Sequence, residues 1–195
     1  MKKMIRLLFV ISGIYLLFSC SKSDHFWGDD SLGNTMKGRH SERMEVTVPF
    51  NIHFIGNYMP TTGVDLEMCG EYPMIRVFNE GGGTGTHLGK FTHFFDFCCN
   101  NVTGEYPAGH MVAYFVAADG DTLNVACAGH VIEGRAEDHP EYVISYFRDP
   151  CVILGGTGRF KGATGSGKTD DYNSSRDPYS HHHWTGTITL VKRKI

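Results

Sequence analysis

This sequence of 195 residues has a small net charge and few long hydrophobic runs. It carries 18 lysines and arginines against 21 aspartates and glutamates, a formal net charge of −3. So small an imbalance gives no charge field that would attract nucleic acid, and it excludes capture of anionic substrates by that route. Beyond the N-terminal segment, no apolar stretch is long enough to span a bilayer.

Helical periodicity is also missing, because apolar and polar residues alternate with period two through most of the chain. Phe50, Ile52 and Phe54 share one face of the first such run, and Pro49 within it indicates an edge or a bulge. Asp119-Gly120-Asp121 is typical of a hairpin turn. The pattern predicts an all-β domain over residues 42–195, with about eight antiparallel strands in the segments 43–54, 73–78, 88–97, 109–118, 122–131, 142–148, 151–154 and 182–192.

The N-terminus has the features of a secretory signal, with three basic residues before an apolar core from Leu7 to Phe18. Leu17-Phe18-Ser19-Cys20 resembles a bacterial lipobox, in which Cys20 is lipidated and becomes the mature N-terminus. The alternatives are an ordinary signal peptide with a chance cysteine and an uncleaved anchor. We therefore predict residues 1–19 as a lipoprotein signal peptide and residues 20–41 as lipidated Cys20 followed by a flexible tether.

This N-terminal pattern also predicts where the protein resides. Ser21 resembles a signal for sorting to the outer membrane, so we expect a lipid-anchored protein of the bacterial cell envelope, outside the cytoplasm. The tether is rich in small polar residues and buries too little surface to offset its ordering entropy. The membrane partner is thus predicted to be reached through Cys20.

Glycine is concentrated between Leu154 and Gly167, in the stretch LGGTGRFKGATGSG. Glycines this dense among strands indicate backbone with positive φ or with too little room for a Cβ. Residues 162–169, GATGSGKT, also match the phosphate-binding pattern GxxxxGK[ST]. That chemistry needs a helix after the loop, but residues 170–178 have no helical period and contain a proline. We therefore predict that no nucleotide is bound there.

The motif GGTGRFKGATGSG resembles the glycine-rich strand pair of allene oxide cyclase-like and dirigent-like barrels. Residues 85–92, GTHLGKFT, resemble the matching element of small secreted bacterial relatives. The resemblance implies a single eight-stranded, calycin-type antiparallel β-barrel, with a structural glycine motif made of Gly155, Gly156, Gly158, Phe160 and Gly162.

The same resemblance implies three functions for a barrel of this size. The first is binding of a small apolar ligand inside the barrel. The second is a cyclase or isomerase acting on a lipid-like substrate, although the catalytic residues of the plant cyclases have no counterparts in the matching motifs. The third is a barrel filled with side chains that acts through its outer surface. The sequence favours the binding function over the enzyme, and it implies no cofactor.

Few polar residues are candidates for ligand binding. His93 lies on the Phe-rich face of its strand, where it is either a buried structural histidine or a group in a pocket. Tyr142, Tyr146 and Arg148 share one face of another strand, which either orients an oxygenated guest or forms an outward ladder. The sequence identifies no catalytic residue.

Histidines and cysteines add two further expectations. In an extended segment, only His181 and His183 of the triplet 181–183 share a face, and no nearby ligand completes a metal site, so none is predicted. Five cysteines remain besides Cys20, so at least one is a free thiol. One disulfide is allowed by export, joining Cys69 to Cys98 or Cys99.

Overall fold

The computed structural model describes residues 43–193, apart from the side chains of His110 and Arg193. The predicted signal peptide, Cys20 and the tether lie outside the described residues. The described chain forms eleven strands and one short 3-10 helix, Gly158–Phe160. The strands are β1 Arg43–Tyr58, β2 Met74–Gly85, β3 Gly89–Asn100, β4 Glu105–Ala117, β5 Thr122–His130, β6 Ile132–Glu133, β7 Val143–Phe147, β8 Pro150–Gly156, β9 Thr164–Thr169, β10 Asp171–Ser174 and β11 Tyr179–Arg193.

The strands form a closed antiparallel barrel. Neighbours follow the order β1-β2-β3-β4-β5-β8-β9-β11, and β11 returns to pair with β1 from Asn57↔Tyr179 to Arg43↔Arg193. Closure joins the two ends of the described chain, so neither β1 nor β11 is left as a free edge along this seam. The predicted all-β, eight-stranded barrel is therefore confirmed.

Three of the eight barrel strands are interrupted once. β5 continues as β6, β7 continues as β8, and β9 continues as β10, with the antiparallel pairing resuming in the same register after each break. For example, Cys127 faces Cys151 before the break, and Ile132 faces Tyr146 after it. These breaks all lie towards one end of the barrel, which sets that end apart from the other.

The other half of the barrel interior is filled by side chains. Phe54, Phe91 and Phe115 contact one another mainly edge-to-face, with ring centroids 5.3–5.9 Å apart. Trp184, 1 % exposed, packs against Phe54 and Phe115. Aromatic packing of this kind contributes beyond the burial of apolar area.

The glycine-rich stretch has the backbone that the sequence predicts. Gly155, Gly158 and Gly162 have positive φ angles of 93°, 52° and 76°. Phe160 is fully buried in the core. Thr164–Thr169 is a strand paired on both sides, and strand β10 follows it rather than a helix, so this segment does not have the loop-and-helix geometry of a phosphate-binding site.

Two smaller predictions are also confirmed. Pro49 lies in the part of β1 that pairs with β11 but not with β2, which leaves its missing N–H on an unpaired side. Cys69 and Cys98 form a disulfide, and Cys99, Cys127 and Cys151 are buried free thiols. No helix within residues 43–193 is long and apolar enough to cross a membrane.

Candidate functional site

A cavity of about 640 Å³ opens at the barrel end that carries the strand breaks. It forms because β3 and β4 separate there: only Phe91–Phe95 pairs with Ala113–Ala117, and beyond Phe95 the two strands are no longer paired. β4 instead stays with β5 through a bulge between Tyr106 and Met111. Loop residues 101–104 then border the opening.

The cavity has apolar walls and a polar floor. Its size lies within the range of pockets that hold small molecules. The apolar lining comes from Ile75, Val77, Phe95, Phe97, Met111, Val131, Ile144 and Phe147. The polar lining includes five buried residues, Asn79, Tyr106, Asp171, Ser180 and His182, together with the half-buried Asn173 and the more exposed Tyr58.

A continuous chain of polar contacts crosses the floor. His182 Nε2 lies 2.8 Å from Ser180 Oγ, and Asn79 donates from Nδ2 to the same oxygen over 3.1 Å. Asn79 Oδ1 in turn lies 3.1 Å from His93 Nε2. Because Ser180 and His182 are two residues apart on β11, their side chains point to the same, inner face.

Asp171 anchors the other end of this chain. Its carboxylate accepts hydrogen bonds from Trp184 Nε1, over 2.8 and 3.0 Å, and from the His183 backbone N–H, over 3.1 Å. His182 Nδ1 lies 2.9 Å from Asp171 Oδ2 without forming a hydrogen bond to it, so the imidazole and the carboxylate are in close contact. Phe54 stacks on the His182 ring at 4.4 Å and helps to hold it.

His93 lies behind the floor, 3 % exposed, among Phe54, Phe95 and Phe115. Burial, with a smaller contribution from nearby His182, lowers the pKa of His93 to about 3. The imidazole is therefore neutral at physiological pH. Its hydrogen bond to Asn79 makes it part of the support for the floor, and it is not among the residues that line the cavity.

Tyr106 and Asp149 fix the bulged part of β4. The Tyr106 hydroxyl donates to Asp149 Oδ2, and the Asp149 backbone N–H donates to Thr169 Oγ1 over 2.9 Å. Burial raises the pKa of Asp149, although the bonds from Tyr106 and the His130 backbone N–H act in the opposite direction. Burial also raises the pKa of Tyr106. This pair joins the wall of the cavity to the break between β7 and β8.

The other three predicted ligand-binding residues lie outside the cavity. Arg148 forms ion pairs of 2.7 Å with Asp138 and with Asp170. Tyr146 packs edge-to-face against His139, and Tyr142 lies under the Arg176 guanidinium at 4.1 Å. These residues form the outward ladder that the sequence left as an alternative, and Ser145 and Phe147 line the cavity in their place.

The histidine triplet divides between the two faces of β11. His182 points inward to the floor, whereas His181 contacts Asp177 and His183 stacks on His53 with ring centroids 3.9 Å apart. No group of three or more potential metal ligands is present among the described residues. His182 and Ser180 were not among the predicted site residues, although the alternation that places Trp184 inside also places them inside and would have been sufficient to find them. Asn79 and Asp171 carried no such signal.

No known family model matches this sequence, and no curated protein matches it. Among solved structures, the chain is similar to a pterocarpan synthase dirigent protein, at 13 % identity, with 84 % of this chain and 98 % of that chain covered and a TM-score of 0.38. A likeness at this level carries no argument about activity. The strand pairing itself establishes what the chain is: a closed eight-stranded antiparallel β-barrel, half filled by aromatic side chains and half open as a cavity.

Proposed function

We propose that this protein binds a small, mainly apolar molecule inside its barrel while a lipid on Cys20 holds it at the bacterial cell envelope. The observation that carries the proposal is the cavity, whose apolar walls surround a small set of convergent polar groups. This combination is what small-molecule sites have in common, because apolar walls supply affinity and a few polar groups orient the guest.

The packing of the barrel supports a preformed site. The aromatic residues beneath the floor are buried and in mutual contact, and the floor polar groups bond to one another. A guest therefore enters without a large rearrangement, which reduces the ordering cost of binding. The lipobox-like sequence before Cys20 supports the anchor.

The test is native mass spectrometry of the full-length protein, purified from its own host in lipid nanodiscs. We expect an adduct of roughly a few hundred daltons, the mass of a drug-sized ligand, that is lost when the protein is denatured. Ser145 and Val152 provide matched variants, since both are strand residues and only Ser145, on the inner face of β7, lines the cavity. Ser145→Trp is expected to remove the adduct, and Val152→Trp is expected to keep it.

A protein without any adduct, even after incubation with a lipid extract of the host, would refute the binding function. The anchor is tested separately on the full chain. Incorporation of an alkyne-labelled fatty acid is expected in the wild type and not in Cys20→Ala, and equal labelling of the two would refute lipidation at this residue.

A further inference from the structure

Acidic side chains and hydrogen-bond acceptors predominate over basic side chains and free donors in the cavity lining. Among the described residues that line it, Asp171 and Glu133 are acidic, and none is a lysine or an arginine. Asp171 is 5 % exposed and Glu133 is exposed at the opening. A guest in the cavity therefore meets a carboxylate at both depths, and the His182 imidazole beside Asp171 is the one basic side chain among the described lining residues.

The hydroxyl and indole donors around the floor already have acceptors within the protein. The Tyr58 hydroxyl donates to Asn173 Oδ1 over 3.1 Å, and the Tyr106 hydroxyl donates to Asp149. Trp184 donates to Asp171. The amides of Asn79 and Asn173 each donate one bond as well, to Ser180 and to Ser145.

By contrast, some oxygen atoms that line the cavity can still accept hydrogen bonds. An ionised carboxylate offers about four lone-pair sites, an amide oxygen two and a hydroxyl oxygen two. The formed bonds leave sites unused on the Asn173 amide oxygen and on the Tyr58 hydroxyl oxygen, whereas Asp171 already contacts Trp184, the His183 N–H and His182. A head group that donates hydrogen bonds is thus satisfied inside the cavity, whereas a head group that only accepts them competes for the few N–H groups that remain, such as the second amide N–H of Asn79 and of Asn173.

We infer that the cavity selects molecules with a hydroxyl or ammonium group on an apolar body and rejects those with a carboxylate. The inference rests on the proposed binding function and narrows it to one class of head group. A carboxylate would bring a like charge next to Asp171 in a poorly solvated site, where such repulsion is much stronger than in water.

Three ligands with the same body test this selection: n-octanol, n-octylamine and n-octanoate. Each is titrated calorimetrically near neutral pH into the full-length protein in nanodiscs, with empty nanodiscs as the reference. We expect n-octanol and n-octylamine to bind, and n-octanoate to bind at least about tenfold more weakly than n-octanol.

A matched pair of lysine variants tests the electrostatic cause. Val102 lines the opening and is 69 % exposed, so Val102→Lys adds a cation there with little risk to folding. Val152→Lys adds the same charge on the outer wall. We expect Val102→Lys to strengthen n-octanoate binding about tenfold and Val152→Lys to leave it unchanged.

The outcomes separate the inference from the function on which it rests. Binding of n-octanoate as tight as that of n-octanol, or identical behaviour of the two lysine variants, overturns the head-group selection and leaves the binding function standing. If none of the three ligands binds and the purified protein carries no adduct, both are overturned.

Discussion

Acid sensitivity of folding should depend on His93. The variant His93→Gln replaces the imidazole with an amide that can still donate to Asn79 Oδ1 but cannot titrate. In the wild type, the pKa of His93 is lowered to about 3, chiefly because the ring is removed from water. The unfolded chain, with an ordinary histidine pKa of about 6.5, therefore takes up this proton first as the pH falls.

The magnitude follows from linkage between protonation and folding. A depressed histidine pKa means that the unfolded state binds more protons between about pH 6.5 and pH 3, so the free energy of unfolding decreases as the pH falls through that window. From pH 7 to pH 5, the two pKa values correspond to a loss of about 2 kcal/mol from this one residue. Since His93 is 3 % exposed, solvent screening does not reduce the value appreciably.

Urea unfolding of both proteins at pH 7 and pH 5 measures the effect. We expect the wild type to lose about 2 kcal/mol more than His93→Gln over that interval. Other histidines, including His183, whose pKa burial also lowers, contribute equally to both proteins and cancel. His93→Phe serves as a second non-titrating variant. If the free energy of unfolding decreases equally in the wild type and in both variants, the conclusion that His93 is buried and neutral is wrong.

Two further predictions concern the cavity wall and the glycine motif. Burial raises the pKa of Cys99, which lines the cavity, to about 11. The fraction of Cys99 present as thiolate at pH 8 is then about one in a thousand, so iodoacetamide should label it slowly in the native protein and more slowly still with a bound guest. Peptide mass mapping follows the labelling, and rapid labelling of the native protein would contradict a buried Cys99. In the glycine motif, a Cβ at Gly156 would overlap the Thr122 backbone oxygen, whereas at Gly162 the nearest atom is Val191 Cγ2 at 3.6 Å. Gly162→Ala should therefore lower the free energy of unfolding by about 1–2 kcal/mol through its positive φ alone. Gly156→Ala should lower it further, because the pairing of β5 with β8 must shift. Urea unfolding measures both variants, and a larger loss for Gly162→Ala than for Gly156→Ala would refute this explanation.

Strand formation and the inner face of most strands follow from the sequence alone. Alternation with period two placed Phe91, His93 and Phe95 on one face of β3, and these residues are buried. This prediction succeeds because a strand exposes its side chains alternately to the two sides of a sheet, which is a local property of the chain. The glycine-rich stretch was likewise predictable, since positive φ and missing room for a Cβ restrict a position to glycine.

Alternation along the sequence could not determine which face of β7 points into the barrel. Alternation separates Tyr142, Tyr146 and Arg148 from Val143 and Phe147, but both sets contain large, partly apolar side chains. The sheet curvature and the pairing with β10 decide which set meets the interior. As a result Phe147 lines the cavity, and Arg148 pairs with Asp138 and Asp170 on the outside.

The sequence by itself determined an all-β chain, the alternation of its strands, the glycine motif and the lipobox-like N-terminus. Only the tertiary structure decided that the barrel closes between β1 and β11, that β3 and β4 separate to open a cavity, and that Asn79, Asp171 and His182 meet at its floor. The physical reason is that these features depend on the register between strands distant in sequence. Period-two patterns carry no information about which strands become neighbours, so the site emerges only when the barrel closes.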